Sequence, residues 1–426
     1  MKKMNYQNVK GTQDYLPDAE RVRRNIRRTL EDVFIQYGCQ PLETPILNYT
    51  ELMASKYGGG AEILEEMYRL TDRGERDLAL RYDLTIPFAK VAAMNPTLKM
   101  PFKRYEIGKV FRDGPIKTGR FREFTQCDVD MVGVDSQVAE AELMVMALDA
   151  FQKLNLSVMV QYNNRKLLTG MLALFGVAEE NINRTVLILD KLEKVGVETV
   201  LDELRQEGLS SETVRSIRTF LLAENNTDFR YFEPFASQNK QVAEGLRELK
   251  ELESYLKYVG VGDQCVFQPF LARGLEIYTG TVYEMFLTDP LLQSSIGSGG
   301  RYDNAIGGLI GTDQAFSTVG ISFGLDVIYT AMAATNETIT ETSLDFYIIP
   351  LGCQKESLLV ASYLRNKGYA VEVEMGNKKV GKALDKANRE KVRQVIIIGE
   401  SEVNNNQYKV KDMVSGSEKM EPFLFC

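Results

Sequence analysis

The sequence predicts an α+β fold: an antiparallel sheet interrupted by helices over residues 1–333, then a small α/β domain with a mostly parallel sheet over 344–426. Three observations carry this. From Met67 to Val134 the apolar pattern is that of strands around a loop rich in Gly, Pro and Lys. From Gly176 to about Tyr258 it changes to acidic, Leu-rich helices. Beyond a polar Thr/Asn/Glu linker, Ala334 to Ser343, apolar strands alternate with helices.

The elements follow in order. Val22, Ile26, Leu30, Val33 and Phe34 share one face of an opening helix, with Asp18 after Pro17 as its N-cap and Gly38 as its stop. Pro41 and Pro45 keep Cys39 to Leu47 extended. Asp77 to Arg81 alternates with Leu78 and Leu80 on one side. Lys103 to Phe111 and Glu123 to Val132 read as two antiparallel strands, with a helix from about Ala139 to Leu154 behind them. The insertion at about 176–258 keeps helical spacing at Ile188, Leu192 and Val195, and Ser211 is a candidate cap. Strand patterns return at Leu271 to Phe286 and Ser322 to Leu325. In the last third, strands at Asp345 to Pro350, Ala370 to Glu374 and Val392 to Gly399 alternate with helices near Glu356 to Lys367 and Val380 to Glu390.

Composition narrows the chemistry. A chain of 426 residues calls for two or three domains, and 44% hydrophobic with 26% charged residues is ordinary for a soluble globular protein. No apolar run approaches the ~20 residues that span a bilayer, and Met1 to Gly11 is polar and basic, which points to the cytoplasm. Cys39, Cys127, Cys265, Cys353 and Cys426 are far apart and suggest neither a disulfide framework nor zinc. The net charge of −8 argues against a uniformly basic nucleic-acid binder but leaves room for basic surfaces. Pro101 to Arg122 holds seven Lys/Arg against two Asp/Glu, and Arg365 to Arg393 nine against four. Either run is also what a solvated face looks like.

The chain contains no histidine. Ser-His-Asp and Cys-His catalysis, His-liganded zinc and histidine general bases are therefore excluded. Its chemistry must run on carboxylates, Arg, Lys, Tyr or a bound metal.

Four stretches carry candidate chemistry. The first is Arg81-Tyr82-Asp83-Leu84-Thr85 at a strand end. The second runs from Phe111-Arg112-Asp113-Gly114 through Gly119 to Phe124 and on to Gln126, Asp128 and Asp130. There Arg112, Arg120 and Arg122 would converge across the hairpin, where guanidinium forks suit phosphate oxygens. Phe124 can stack on a purine, and Gln126, Asp128 and Asp130 continue one face at period two. A charged face neutralised by cross-strand ion pairs is the competing reading. The third, Leu271 to Gly280, places Arg273-Gly274 before Tyr278 on an apolar strand, suggesting close approach of a ligand or a strand-edge turn. The fourth is Gly299-Gly300-Arg301-Tyr302-Asp303, a glycine pair of the kind that usually marks a turn, followed by Gly320 to Leu325.

Taken together, these stretches resemble those of histidyl-tRNA synthetases along nearly the whole chain. The Arg112 to Phe124 clamp looks like motif 2 of class II synthetases, and Leu271 to Thr279 and Gly299 to Asp303 like the two histidine-specific motifs. Gly320 to Leu325 looks like motif 3. Pro41 and Pro45 sit where motif 1 forms a dimer interface, and the terminal unit resembles a class IIa anticodon-binding domain. The resemblance implies a class II antiparallel-sheet catalytic domain with a helical insertion, plus a C-terminal α/β anticodon-binding domain. It implies histidine, ATP with Mg²⁺ and tRNA(His) as substrates and partners, and a homodimer. It places Arg112 and Arg273 on the α-phosphate and the attacking carboxylate, Arg120 on the γ-phosphate and Phe124 on adenine. Asp83, Thr85 and Gln126 would hold the α-amino group, Asp130 and Tyr278 the imidazole, with Tyr302 as a pocket wall. Val327 stands in the usual place of an ATP-contacting Arg in motif 3, and Gly114 where many synthetases carry a Glu in motif 2.

Adenylation suits a chain without histidine, because the attacking carboxylate is already ionised and needs no general base. Positioning and positive charge are what must be supplied. Two rivals share the resemblance: the synthetase-like regulatory subunit of ATP phosphoribosyltransferase, which tends to lose the clamp arginines and the terminal domain, and an inactive tRNA sensor. The absence of histidine carries its own hypothesis: such a message can be translated when histidyl-tRNA is scarce, which would suit an auxiliary copy. Compositional accident explains the same count. Translation in a histidine-depleted extract separates them, and stalling there like a His-containing control would end the idea.

Overall fold

The computed structural model describes residues 6–55, 64–116, 119–273, 277–289, 295–312, 314–334, 344–376 and 379–425. The chain divides into two compact units, Met1–Glu337 and Thr338–Cys426.

The first unit is built on an eight-stranded sheet. Its strands are β1 (Gln40–Pro41), β5 (Phe102–Phe111), β6 (Glu123–Val132), β7 (Val158–Asn164), β8 (Cys265–Phe267), β9 (Thr281–Leu287), β10 (Gly297–Arg301) and β11 (Thr318–Gly324). They lie in the order β1-β5-β6-β11-β10-β9-β7-β8. Neighbours are antiparallel from β5 to β7 and parallel only at the two ends. A three-stranded antiparallel sheet, β2 (Leu47–Tyr49), β4 (Asp77–Leu80) and β3 (Arg69–Thr71), stands beside it.

One face of the large sheet is dry. Ile26, Leu30, Val33 and Phe34 of the helix Pro17–Gln36 are fully buried against it, each contributing about 1.5–3 kcal/mol on removal from water. Phe323 of β11 meets the rings of Phe34 at 5.7 Å and of Phe151, from the helix Val138–Lys153, at 5.5 Å. The helix stops in a Schellman turn: Gly38, at φ +75, donates to Ile35 O, and Cys39 N donates to Phe34 O. Its start differs from expectation. Leu16 is the N-cap without a side-chain bond, and Asp18 pairs with Arg21 instead. Pro17 at the first helical position removes one of the donors a cap would have satisfied.

The inserted helices include Glu179–Leu189, Val197–Gln206, Ser211–Leu221 and Lys240–Tyr258. Ser210, one residue before the expected position, caps the third, its hydroxyl accepting from Thr213 N at 3.1 Å. In the second unit the strands β12 (Phe346–Leu351), β13 (Val371–Val373) and β14 (Gln394–Gly399) are parallel. Two strands not anticipated from sequence, β15 (Gln407–Asp412) and β16 (Glu418–Pro422), extend the sheet antiparallel. β16 is the exposed edge and carries Glu and Lys, so it shows no apolar period, while β15 offers only Tyr408 and Val410 between lysines, a pattern too short to mark a strand.

Candidate active site

The other face of the large sheet carries charge. Strand register sets Arg104, Asp130, Gly320, Gly300 and Val282 in one row across β5, β6, β11, β10 and β9. Two residues along, Glu106, Asp128, Ser322, Ser298 and Glu284 form the next. Residues that alternate with them along the strands, such as Val129 and Phe323, belong to the core. Period two thus separates chemistry from packing along the same strands.

Glycine hollows the first row. A Cβ on Gly320 would lie 2.0 Å from Asp130 Oδ1, and one on Gly300 would lie 2.5 Å from Thr281 O and 2.8 Å from the Tyr278 ring. The Gly299-Gly300 pair is therefore part of a central strand, not the turn its composition suggests. Over this floor lies a cleft lined by Asp83, Thr85, Asp128, Asp130, Tyr278, Tyr302 and Ser322, among others.

Asp130 is held on two sides. Tyr302 donates its hydroxyl to Oδ1, and Arg104 Nη2 lies 2.6 Å from Oδ2. Arg104 is completely buried. Burial alone would weaken its charge, but Asp130, Asp128 and Glu106 together more than offset that and raise its pKa. Glu106 in turn binds Arg81 at 2.7 Å and accepts from Thr44 N and Oγ1, both at 2.9 Å. This buried Arg81–Glu106–Arg104–Asp130 chain is what sequence reasoning missed. Its signal was Arg104 and Glu106 at period two on a strand face whose other residues, Phe102, Gly108 and Val110, are uncharged.

Burial pushes the Asp83 carboxyl up to about 6, although Asp83 accepts from Ile86 N at 3.1 Å and feels Arg112. It sits at the start of the helix Thr85–Met94, as does Thr85. Gln126 donates to Ser322 Oγ at 3.0 Å, with its Oε1 buried and unpartnered.

The clamp is only partly assembled as expected. Arg112 donates from Nε to Tyr82 O at 3.0 Å, and its guanidinium lies 5.2 Å from the centre of the Phe124 ring. Burial lowers its pKa, and Arg120 lies near enough to lower it further. Arg120 binds Glu66 at 3.1 Å. Arg122 departs from the expected convergence by pairing with Asp113 at 2.8 Å. Cross-strand neutralisation is also present, in Lys109–Glu123 at 2.8 Å.

Arg273 lies outside any strand, against expectation, in an ion pair with Glu284 and 5.9 Å from the centre of the Tyr278 ring. Its neighbours Gly274, Leu275 and Glu276 lie outside the described residues. Arg301 binds Glu140 through two contacts, at 2.6 and 2.7 Å, fastening β10 to the helix behind. Thr279 N donates to Arg301 O at 2.8 Å, which sets the segment bearing Tyr278.

A positively charged rim beside a carboxylate-lined cleft can bind a polyanion next to a small polar molecule. Comparison with known proteins agrees. Residues 11–328 match the family model for histidyl-tRNA synthetase, and residues 345–422 that for an anticodon binding domain. The chain is 59% identical over 425 residues to histidine–tRNA ligase 2 of Shouchella clausii, covering all of both proteins. It is similar to the crystal structure of histidyl-tRNA synthetase from Nostoc sp. PCC 7120, with TM-score 0.85 and 29% identity, covering 99% of this chain and 97% of that one. A Bacillus halodurans protein described as an ATP phosphoribosyltransferase regulatory subunit/histidyl-tRNA synthetase shares the fold at TM-score 0.75 and 19% identity, covering 93% of this chain and 99% of that one.

Proposed function

The chain belongs to the histidyl-tRNA synthetase family, and from that membership we infer how its cleft activates histidine with ATP and passes it to tRNA. The reaction is that of a class II histidine–tRNA ligase. A histidine carboxylate oxygen attacks the α-phosphorus of ATP and pyrophosphate leaves. A hydroxyl of the tRNA 3′ terminus then attacks the carbonyl and AMP leaves.

In our reading Arg112 and Arg273 flank the transferring phosphorus and the attacking carboxylate, and Arg120 holds the outer phosphates. All three are guanidinium groups that stay charged at any working pH. Phe124, with Arg112 over its ring, stacks on adenine. Asp83, Thr85 and Gln126 receive the α-ammonium group, while Asp130, Tyr278 and Tyr302 form the side-chain pocket. Among the described residues no group of three or more Asp, Glu or Cys is placed to hold a metal. We write Mg²⁺ as part of the Mg·ATP substrate, since that ion keeps to phosphates and water with few carboxylates.

We assign 1–333 to activation, with the helical insertion at about 176–258, and 344–426 to tRNA binding. Lys379, Lys382, Arg389 and Lys391 are exposed in that second segment, as phosphate contacts must be. A homodimer in the cytoplasm completes the reading. No helix among the described residues is long and apolar enough to cross a membrane.

The observation that carries the reading is one cleft bringing Asp83 and Thr85 beside Asp130, Tyr278 and Tyr302. The regulatory-subunit alternative is disfavoured by the retention of Arg112, Arg120, Arg273 and the terminal unit. Pyrophosphate exchange and aminoacylation with each amino acid in turn test it: only histidine should support both. Exchange with none would remove the enzyme, and exchange with another amino acid would reassign the pocket.

A further inference from the structure

Asp128 lines the cleft but has no role in the reaction as written. Its side chain is 2% exposed, and Oδ1 has no hydrogen-bond partner. Burial pushes its carboxyl up to about 8, against the pull of the Arg104 guanidinium; Asp130 and Asp83 raise it further, while the Ser322 hydroxyl lowers it. Leaving a buried acceptor unmatched costs stability, and packing alone offers no reason to keep one. Such a group facing a cleft is what a ligand donor completes.

Its neighbour on the same face differs. Both oxygens of Asp130 already meet a partner, Tyr302 at Oδ1 and Arg104 at Oδ2, the latter as an ion contact without hydrogen-bond alignment. Gly320 and Gly300 keep open the floor beside both acids. Histidine brings a ring whose two nitrogens exchange a proton near neutrality, so an N–H or N⁺–H is available to a carboxyl there.

We propose that Asp128 is a further specificity-determining residue, its Oδ1 taking a ring N–H of bound histidine while Asp130 is held in place by Arg104 and Tyr302. This rests on the reading of the cleft as a histidine pocket. It adds a second acid to the ring's surroundings. An amino acid without a ring N–H then leaves Asp128 buried and unmatched, and is rejected for that reason.

The test uses the full chain and histidine-dependent pyrophosphate exchange. If the wild-type protein shows no such exchange, the underlying function fails before any variant is considered. Given exchange, Asp128→Ala should raise KM for histidine on the order of 30-fold or more, as leaving a buried ring N–H without its acceptor does, and leave KM for ATP within about threefold. Asp128→Asn, which keeps an acceptor oxygen, should lie between. Both variants should melt at or above the wild-type temperature, because a buried unmatched acid has been removed. Histidine methylated on one or the other ring nitrogen supplies the second arm. Methylation of the nitrogen that faces Asp128 should weaken competitive inhibition of the wild type on the order of 30-fold, and of Asp128→Ala by less than about threefold. Equal methylation penalties in the two proteins would overturn the proposal. So would parallel rises in both KM values with a lowered melting temperature, the signature of a merely structural residue.

Discussion

The two larger sheets of this molecule use the same alternation for opposite ends. In the second unit both faces are dry. Ile348, Ile396 and Ile398 pack with Val360, Ala361 and Leu364 of the helix Gln354–Asn366. Tyr347, Ile349 and Val395 pack with Ala383 and Ala387 of the helix Val380–Arg389. In the first unit one face packs the same way, while the other buries Arg104, Glu106, Asp128 and Asp130. A sheet covered twice gains from every side chain it buries. A sheet with one face given to a cleft must match each buried charge or neutralise it, because an isolated one costs several kcal/mol. The comparison shows where stability is made and where it is spent on chemistry.

That contrast can be broken most sharply at its cationic rim. Arg112→Ala or Arg273→Ala should lower kcat/KM for pyrophosphate exchange by about 10³, the usual loss of a donor facing developing charge. Their melting temperatures should stay near wild type; a drop of many degrees would recast both arginines as structural. Next in size is the dry sheet. Ile396→Ala should cost about 2–5 kcal/mol in the stability of the second unit, read in denaturant melts. Exchange should persist there while aminoacylation falls. If exchange falls equally, activation is not confined to the first unit.

Gly320→Ala probes the hollowed row. The added methyl has no room beside Asp130 Oδ1, so KM for histidine should rise on the order of tenfold or more, with KM for ATP nearly unchanged. Unaltered histidine affinity would move the pocket elsewhere. The smallest effect is set by pH. Asp83, pushed up to about 6, is anionic above that value and holds an ammonium group there; protonation below it removes the attraction. The ratio of kcat/KM between wild type and Asp83→Asn should therefore shrink as pH falls through 6. Taking the ratio cancels the titration of histidine itself. A ratio flat between pH 5 and 8 would detach Asp83 from the substrate.

Much of the architecture was legible in the residues. The hairpin of β5 and β6 fell where alternation placed it, and the helix Pro17–Gln36 buried the apolar face its spacing marks. Departures had local causes. Asp18 lost its capping role to a proline start, β16 hid because an exposed edge carries no apolar period, and β10 looked like a turn because its glycines make room for neighbours distant in sequence. Of the site, Asp83, Thr85, Asp130, Tyr278 and Tyr302 meet in one cleft. Asp128 was marked by period two, but nothing in the sequence said it would stand unmatched.

By itself, then, the sequence determined which positions alternate, where the insertion interrupts the sheet, that histidine chemistry is absent from the chain, and which stretches carry Arg, Asp and Tyr. Only the tertiary structure decided how those charges are shared: that Tyr302 reaches across 172 residues to Asp130, that Arg104 pairs with Asp130 and leaves Asp128 Oδ1 without a hydrogen bond, and that Arg122 pairs with Asp113. The reason is that alternation is a property of one strand, readable along the chain. The partner of a buried charge is set by strand register between segments far apart, and a single strand holds no record of its neighbour.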